Sequence, residues 1–349
     1  MSVNEFRDHI LDSLLQVLWR HWSSLGIYTG VEKEQAFVID PEALMCATLC
    51  FGRYDQRLFD EMLSWLCKNA DMINIARLKN VVNSFEFGNL NILGAISGYL
   101  SKKEKKRKWE SLARFCTKKS QEKEETLFYT KDFQPMPVLG KEDELFQKWN
   151  LSRNEVVLRH LAENLNVELP ANIVFRMRSF FGVGTRADIC AYLLFSKGDN
   201  SLQIAKVTNF SQRSVYQTLN ELHRSAFVKK RILGREAIYS LDQTRWTNFL
   251  EIKTNKLEYL NWTQIFSAFS GLFRQLVQTP EKFTDSYLAS SNLRMISGDY
   301  VSKIEKAGIQ ATQMKLYQYV GEAFTEYFIE YVEGIISRIL SLESVVTFT

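Results

Sequence analysis

The chain has 349 residues, 46 % of them hydrophobic and 13 % aromatic, and a formal net charge of +4. That length suits two or three domains with cores of their own, and the composition favours well-buried cores over disorder. No run of about 18 uncharged apolar residues occurs, so no membrane span is expected. Cys46, Cys50, Cys67, Cys116 and Cys190 are odd in number and fit no disulfide framework, so a cytoplasmic setting is expected.

Phe6, Ile10, Leu14, Val17 and Leu18 form a helical stripe. The segment lacks a basic n-region and a small-residue cleavage site, so it reads as an amphipathic helix rather than a signal peptide. Asp40 followed by Pro41 is an N-cap with proline at the first helical position, opening a helix over 41–51. Further helices are expected at about 55–69 and 74–83. The charged stretch from Arg53 to Glu61 reads as capping and i,i+4 pairing on an exposed face; a functional acidic and basic cluster is the alternative. The basic run from Lys102 to Lys108 reads as a solvated face, with phosphate or acidic-lipid contact as the alternative.

Residues 1–116 thus form an expected N-terminal helical domain, and 117–140, mixed in Lys, Glu and Pro, a linker. Residues 141–184 are expected to be connecting helices. Val156, Leu158, Leu161 and Leu165 suggest one or two helices between Leu145 and Val167, and Pro170 opens another.

Residues 185–245 carry the clearest pattern. Thr185 is placed to cap a helix with Ile189, Leu193 and Leu194 on its core side and Asp188 in the capping-box position. Gly198, Asp199 and Asn200 end it. Ser201 opens a second helix, with Leu202, Ile204 and Ala205 facing inward. Thr208 and Asn209 make a turn, asparagine tolerating left-handed backbone, and Phe210 plugs it. Ser211 caps a third helix over about 211–224. Val215, Leu219 and Leu222 fall on one face of it, and Arg213, Ser214, Gln217 and Glu221 on the other. Strands are expected at Phe227–Ile232 and Ala237–Leu241, around a turn at Leu233–Glu236. Charge concentrates here: from Pro170 to Arg245 there are 12 Lys/Arg and 5 Asp/Glu, a local +7 that leaves −3 for the rest.

The stretch from Thr185 to Leu241 resembles the winged helix–turn–helix superfamily of bacterial and archaeal transcription regulators, near the families named for MarR and ArsR. Ile204, Ala205, Phe210 and Val215 hold the motif's core positions; Thr218 and Asn209 depart from the usual apolar residue and glycine. GRYDQRLFDEMLSWL and MRSFFGVGTRADICAYLL also look like an uncharacterised group of regulators with helical flanks. The resemblance implies a mainly α, multidomain protein with a central winged helix–turn–helix of three helices and a small β-hairpin. It implies double-stranded DNA as partner, with the recognition helix in the major groove and a wing over 229–238 on the backbone or minor groove. Arg213 and Gln217 suit base readout, because each can make two hydrogen bonds to a purine edge. Ser211 and Ser214 sit at the positive helix end and suit phosphate, and Gln212 between them is a further candidate DNA contact. Lys229, Lys230, Arg231 and Arg235 are the wing's candidate contacts. An interaction scaffold whose winged helix binds protein is the alternative.

Residues 246–349 read as a C-terminal helical bundle for dimerisation or effector binding. Trp262, Phe266, Phe269, Phe273, Leu276 and Val277 recur at helical spacing, as do Tyr317, Val320, Phe324, Phe328, Tyr331, Ile335 and Ile339. The second series suggests a helix of some 25 residues whose seam needs a partner, hence a homodimer. A small-molecule effector pocket among these aromatics is the bolder alternative to plain core. His9, His21, His160 and His223 are scattered, and Gly182 and Gly184 follow a helix rather than a strand. Cys46 and Cys50 share a helix and Cys67 could approach them, but buried thiols explain them better than a metal or redox site. No cofactor, metal or enzymatic activity is expected.

Overall fold

The computed structural model describes residues 1–28, 30–85, 87–118, 123–159, 162–252, 257–309 and 318–341. The protein is mainly helical. Helices α1 (Val3–Ser24), α2 (Pro41–Phe51), α3 (Gln56–Asn69), α4 (Ile75–Phe85), α5 (Leu90–Lys102) and α6 (Glu110–Thr117) lead. Strand β1 (Glu125–Thr126), helix α7 (Glu144–Gln147) and strand β2 (Leu151–Ser152) follow. Next come α8 (Ile173–Phe181), α9 (Thr185–Phe195), β3 (Asp199–Asn200), α10 (Ser201–Thr208), α11 (Gln212–Arg224), β4 (Lys229–Leu233) and β5 (Glu236–Ser240). Helices α12 (Gln243–Phe249), α13 (Trp262–Gln278), α14 (Ser286–Lys306) and α15 (Glu322–Leu340) end the described chain.

Local chemistry sets the helix starts. Ser2 and Glu5 form a capping box on α1, and the Asp40 carboxylate accepts the Ala43 amide ahead of Pro41. Asp55 caps α3 by accepting the Leu58 amide at 3.0 Å. Helix α2 is buried all round except at Cys50, as a central core helix must be. It packs on α1, α3, α4 and α13.

Three expectations need correction. The stretch from Leu145 to Val167 is not helical beyond the single turn of α7. Its backbone bonds sideways instead: β2 pairs in parallel with β1, and the Glu155 amide donates to the Lys141 carbonyl at 2.9 Å. Buried Arg153 anchors it by donating to Asp60 at 2.8 Å, and Asp143 accepts the amides of Leu145, Phe146 and Val156. Leu161 and His160 lie outside the described residues.

The charged stretch of α3 caps its helix as expected, but its ion pairs are long-range: Arg53 reaches Glu125 at 3.0 Å and Asp60 reaches Arg153. In the basic run Lys106 pairs with Asp71, and Lys108 donates to the carbonyls of Asp71 and Ile73. Lys102, Lys103, Lys105 and Arg107 are exposed.

The last helix has 19 residues, not about 25. Val320 is exposed ahead of it, and Tyr317 lies outside the described residues. Its seam of Phe324, Phe328, Tyr331, Ile335 and Ile339 is buried, and α1 and α14 of the same chain cover it. Arg20 of α1 donates to the carbonyls of Ile339 at 2.6 Å and Leu340 at 2.9 Å. The partner that the seam required is therefore internal.

Candidate nucleic-acid interface

Helices α9, α10 and α11 pack on one another, and the strands form a small antiparallel sheet in the order β3-β5-β4. Val215, Leu219 and Leu222 of α11 are buried, as are Ile204 and Ala205 of α10. Leu202 is 43 % exposed, so it does not face inward as expected. Asn200 caps α10 by accepting the Gln203 amide at 2.9 Å and also donates to Glu236, which ties the helix to β5.

Thr185 does not cap α9. Gly184 holds the cap position, and the Thr185 hydroxyl lies 3.2 Å from that of Ser214 instead. Asp188 likewise leaves the capping role: it accepts two hydrogen bonds from buried Arg178. A buried carboxylate needs a cation more than a helix start needs a second cap.

The turn between α10 and α11 is fixed from below. Asn209 is left-handed, with φ +58°. Its amide group donates to Thr263 of α13 at 3.1 Å, and its carbonyl accepts from Asn80 of α4 at 3.0 Å. Arg77 of α4 donates to the Thr208 carbonyl at 2.7 Å while pairing with Asp40, the cap of α2, and with Glu42 inside that helix. Burial opposes the charge on Glu42, but Arg178 and Arg77 outweigh it and hold the carboxyl at about 2. Phe210 is half-buried against the core.

Helix α11, about 20 Å long, presents the other side. The Ser211 hydroxyl accepts the Ser214 amide at 3.2 Å, which makes the expected cap. Ser211, Gln212, Arg213 and Gln217 are exposed. Ser214 is half-buried and shares its hydroxyl with Thr185, so it is less open to phosphate than its neighbours. Glu221 is paired with Arg186 at 2.6 Å, which offsets the one acid on this face.

Strands β4 and β5 join through the two-residue turn Gly234–Arg235, with Gly234 at φ +60°. The four hairpin cations divide. Lys229 bonds Asp242 at 3.1 Å, and Lys230 is half-buried with its ammonium 5.6 Å from the centre of the Tyr239 ring. Arg231 and Arg235 are exposed. Sequence reasoning passed over Tyr216, 50 % exposed beside Gln217, and exposed Lys206 and Arg224. The helical spacing of Arg213, Gln217 and Arg224 was the available signal for the last.

Among the described residues no cluster of His, Cys, Asp or Glu is arranged to hold a metal ion, and no helix is long and apolar enough to cross a membrane. No known protein family, curated protein or solved structure matches the chain.

Proposed function

We propose that residues 185–241 are a winged helix–turn–helix that binds double-stranded DNA, and that the protein regulates transcription. The observation that carries this reading is the division of α11. One face is buried, while Arg213 and Gln217 stand exposed beside a hairpin bearing Arg231 and Arg235. A capped helix with outward Arg and Gln suits the major groove, and the hairpin cations suit phosphate.

The test is selection of genomic fragments by the full chain at two salt concentrations, followed by titration of the winners. Arg213→Ala should lose about 1–3 kcal/mol of discrimination between sites. Arg231→Ala and Arg235→Ala should each lower the salt slope by about one, with sequence preference unchanged. Equal binding of all fragments by wild type and Arg213→Ala defeats the reading. Light scattering with and without the selected DNA tests whether two copies bind, their α11 helices one helical turn apart, at about 34 Å.

One observation favours the second reading, a protein-binding wing. Ile232 and Leu233 at the hairpin tip are 65 % and 57 % exposed. Loss of DNA affinity on changing both to serine, with no change in partner capture, favours DNA.

A further inference from the structure

Aromatic rings close a circuit where α8 and α12 meet the loop after α11. Phe180 of α8 lies 6.1 Å from Phe249 of α12, and Phe249 lies 5.5 Å from Trp246. Trp246 is 4.0 Å from Phe227, Phe227 is 5.4 Å from Phe181, and Phe181 is 6.3 Å from Phe180. Phe180 and Phe249 are 55 % and 63 % exposed, and Val183, in the turn that follows α8, is exposed as well. Single exposed apolar side chains are ordinary, but rings in contact with one another and open to water mark a surface that another molecule covers.

The ions beside the circuit leave a positive excess. Among the described residues Arg178 pairs with Asp188, Arg186 with Glu221 and Lys229 with Asp242. Arg176 and Arg245 have no ion pair there, and each stands four residues before an exposed phenylalanine, on the same face of its helix. Glu251, just past α12, is the one acid in α8, α12 or the turns that end them, and the stretch from Pro170 to Arg245 carries +7. The occupant is therefore acidic as well as apolar. A second copy of the chain docked face to face would set Arg176 and Arg245 near their own equals. No two neighbouring rings lie parallel, their planes meeting at 44° to 84°. Such a faceted surface suits branched and aryl side chains better than the flat faces of nucleic-acid bases.

We propose that this circuit docks an acidic amphipathic segment of another protein, its Leu, Phe or Trp side chains on Phe180 and Phe249 and its carboxylates on Arg176 and Arg245. Aromatic residues and arginine are the side chains that most often dominate such contacts. The proposal does not depend on DNA binding. Phe227 lies beyond the end of α11, and Arg213 is about 16 Å back along that helix from Arg224, so both surfaces can be engaged at once.

The test selects random displayed peptides of about 16 residues on the full chain. Enriched peptides should combine several large apolar residues with net negative charge. The best of them, synthesised and labelled, should bind with Kd below about 100 μM by fluorescence anisotropy. Phe180→Ser with Phe249→Ser should weaken it about tenfold or more, with a melting temperature close to that of wild type because both rings are exposed. Arg176→Glu with Arg245→Glu should weaken the same peptide about tenfold and strengthen its lysine-substituted counterpart, a reversal that misfolding cannot produce. The inference is overturned by a selection with no enriched peptide, by enrichment of neutral or basic ones, or by binding that either double variant leaves unchanged. Two further results overturn it by naming another occupant: a labelled oligothymidylate that binds through Phe180 and Phe249, or a dimer in light scattering that their replacement dissociates.

Discussion

Arg178→Met removes the centre of the buried ion cluster. The guanidinium has five N–H donors, and each is used. Nε and one Nη2 hydrogen reach Asp188 at 2.9 and 2.8 Å, the other groups reach both Glu42 oxygens at 2.8 Å, and Nη1 also donates to the Met72 carbonyl at 2.8 Å. The side chain is 0 % exposed. Without it Glu42 keeps Arg77, but among the described residues Asp188 retains only the cation of Arg77, its Nε at 3.8 Å. Removing one partner of a buried pair costs about 3–5 kcal/mol, a large part of the roughly 5–15 kcal/mol that holds a domain folded. Urea unfolding followed by the fluorescence of the 7 tryptophans and by circular dichroism measures it. Adding Asp188→Leu removes the stranded charge and should recover at least about 2 kcal/mol. The sign with pH is also set. The Glu42 carboxyl lies at about 2, below its usual 4.5, so its charge stabilises the fold fully above pH 4.5 and ceases to as pH falls towards 2. The Arg178→Met chain should lose stability at higher pH than wild type. A single variant within about 1 kcal/mol of wild type, or a double variant no better than the single, refutes the argument.

Asn209→Gly should cost about 1 kcal/mol, the lost bond to Thr263, whereas Asn209→Ala should cost a further 1 kcal/mol or so for left-handed backbone; thermal melts in the reverse order would contradict this. Gly198 has φ +101°, and a Cβ there would lie 2.8 Å from the Tyr239 carbonyl oxygen. Gly198→Ala should therefore destabilise by about 2 kcal/mol or more and loosen exchange across β3 and β5. Burial pushes the His21 imidazole below 6.5, although Glu34 draws it upward. The unfolded chain then takes up its proton at higher pH than the folded chain does. Stability drops below pH 6.5 by up to about 1.4 kcal/mol per unit, and His21→Gln should flatten the slope between pH 7 and 5.5; equal slopes would show that His21 is not responsible.

The elements that obey local rules are legible in the sequence. Asp40 and Pro41 announced α2, the stripe from Phe6 to Leu18 announced α1, and Ser211 with Val215, Leu219 and Leu222 set both the start and the buried face of α11. What failed depends on distant partners. Val156 and Leu158 sit at helical spacing, yet the backbone there is claimed by residues 141–143 and by β1. Helix α14 hides its buried side behind serines: Ser290 and Ser297 are as buried as Leu293 and Ile304, so no apolar stripe marks it. Glu42, Arg77, Arg178 and Asp188 are too far apart in sequence for any spacing rule to pair them. Nor could periodicity tell that the α15 seam would be covered from within. The candidate DNA face was readable as a pattern, but the engagement of Ser214 by Thr185 and of Lys230 by Tyr239 was not.

The grip of Arg20 on Ile339 and Leu340 has a consequence for biosynthesis. During translation at about 5–20 residues per second, α1 waits roughly 15–60 s for the helix it clasps. Over that interval the flank of α1 destined for α15 is wet and sticky. The contact between α1 and α15 is thus one that no earlier stretch of the chain can complete.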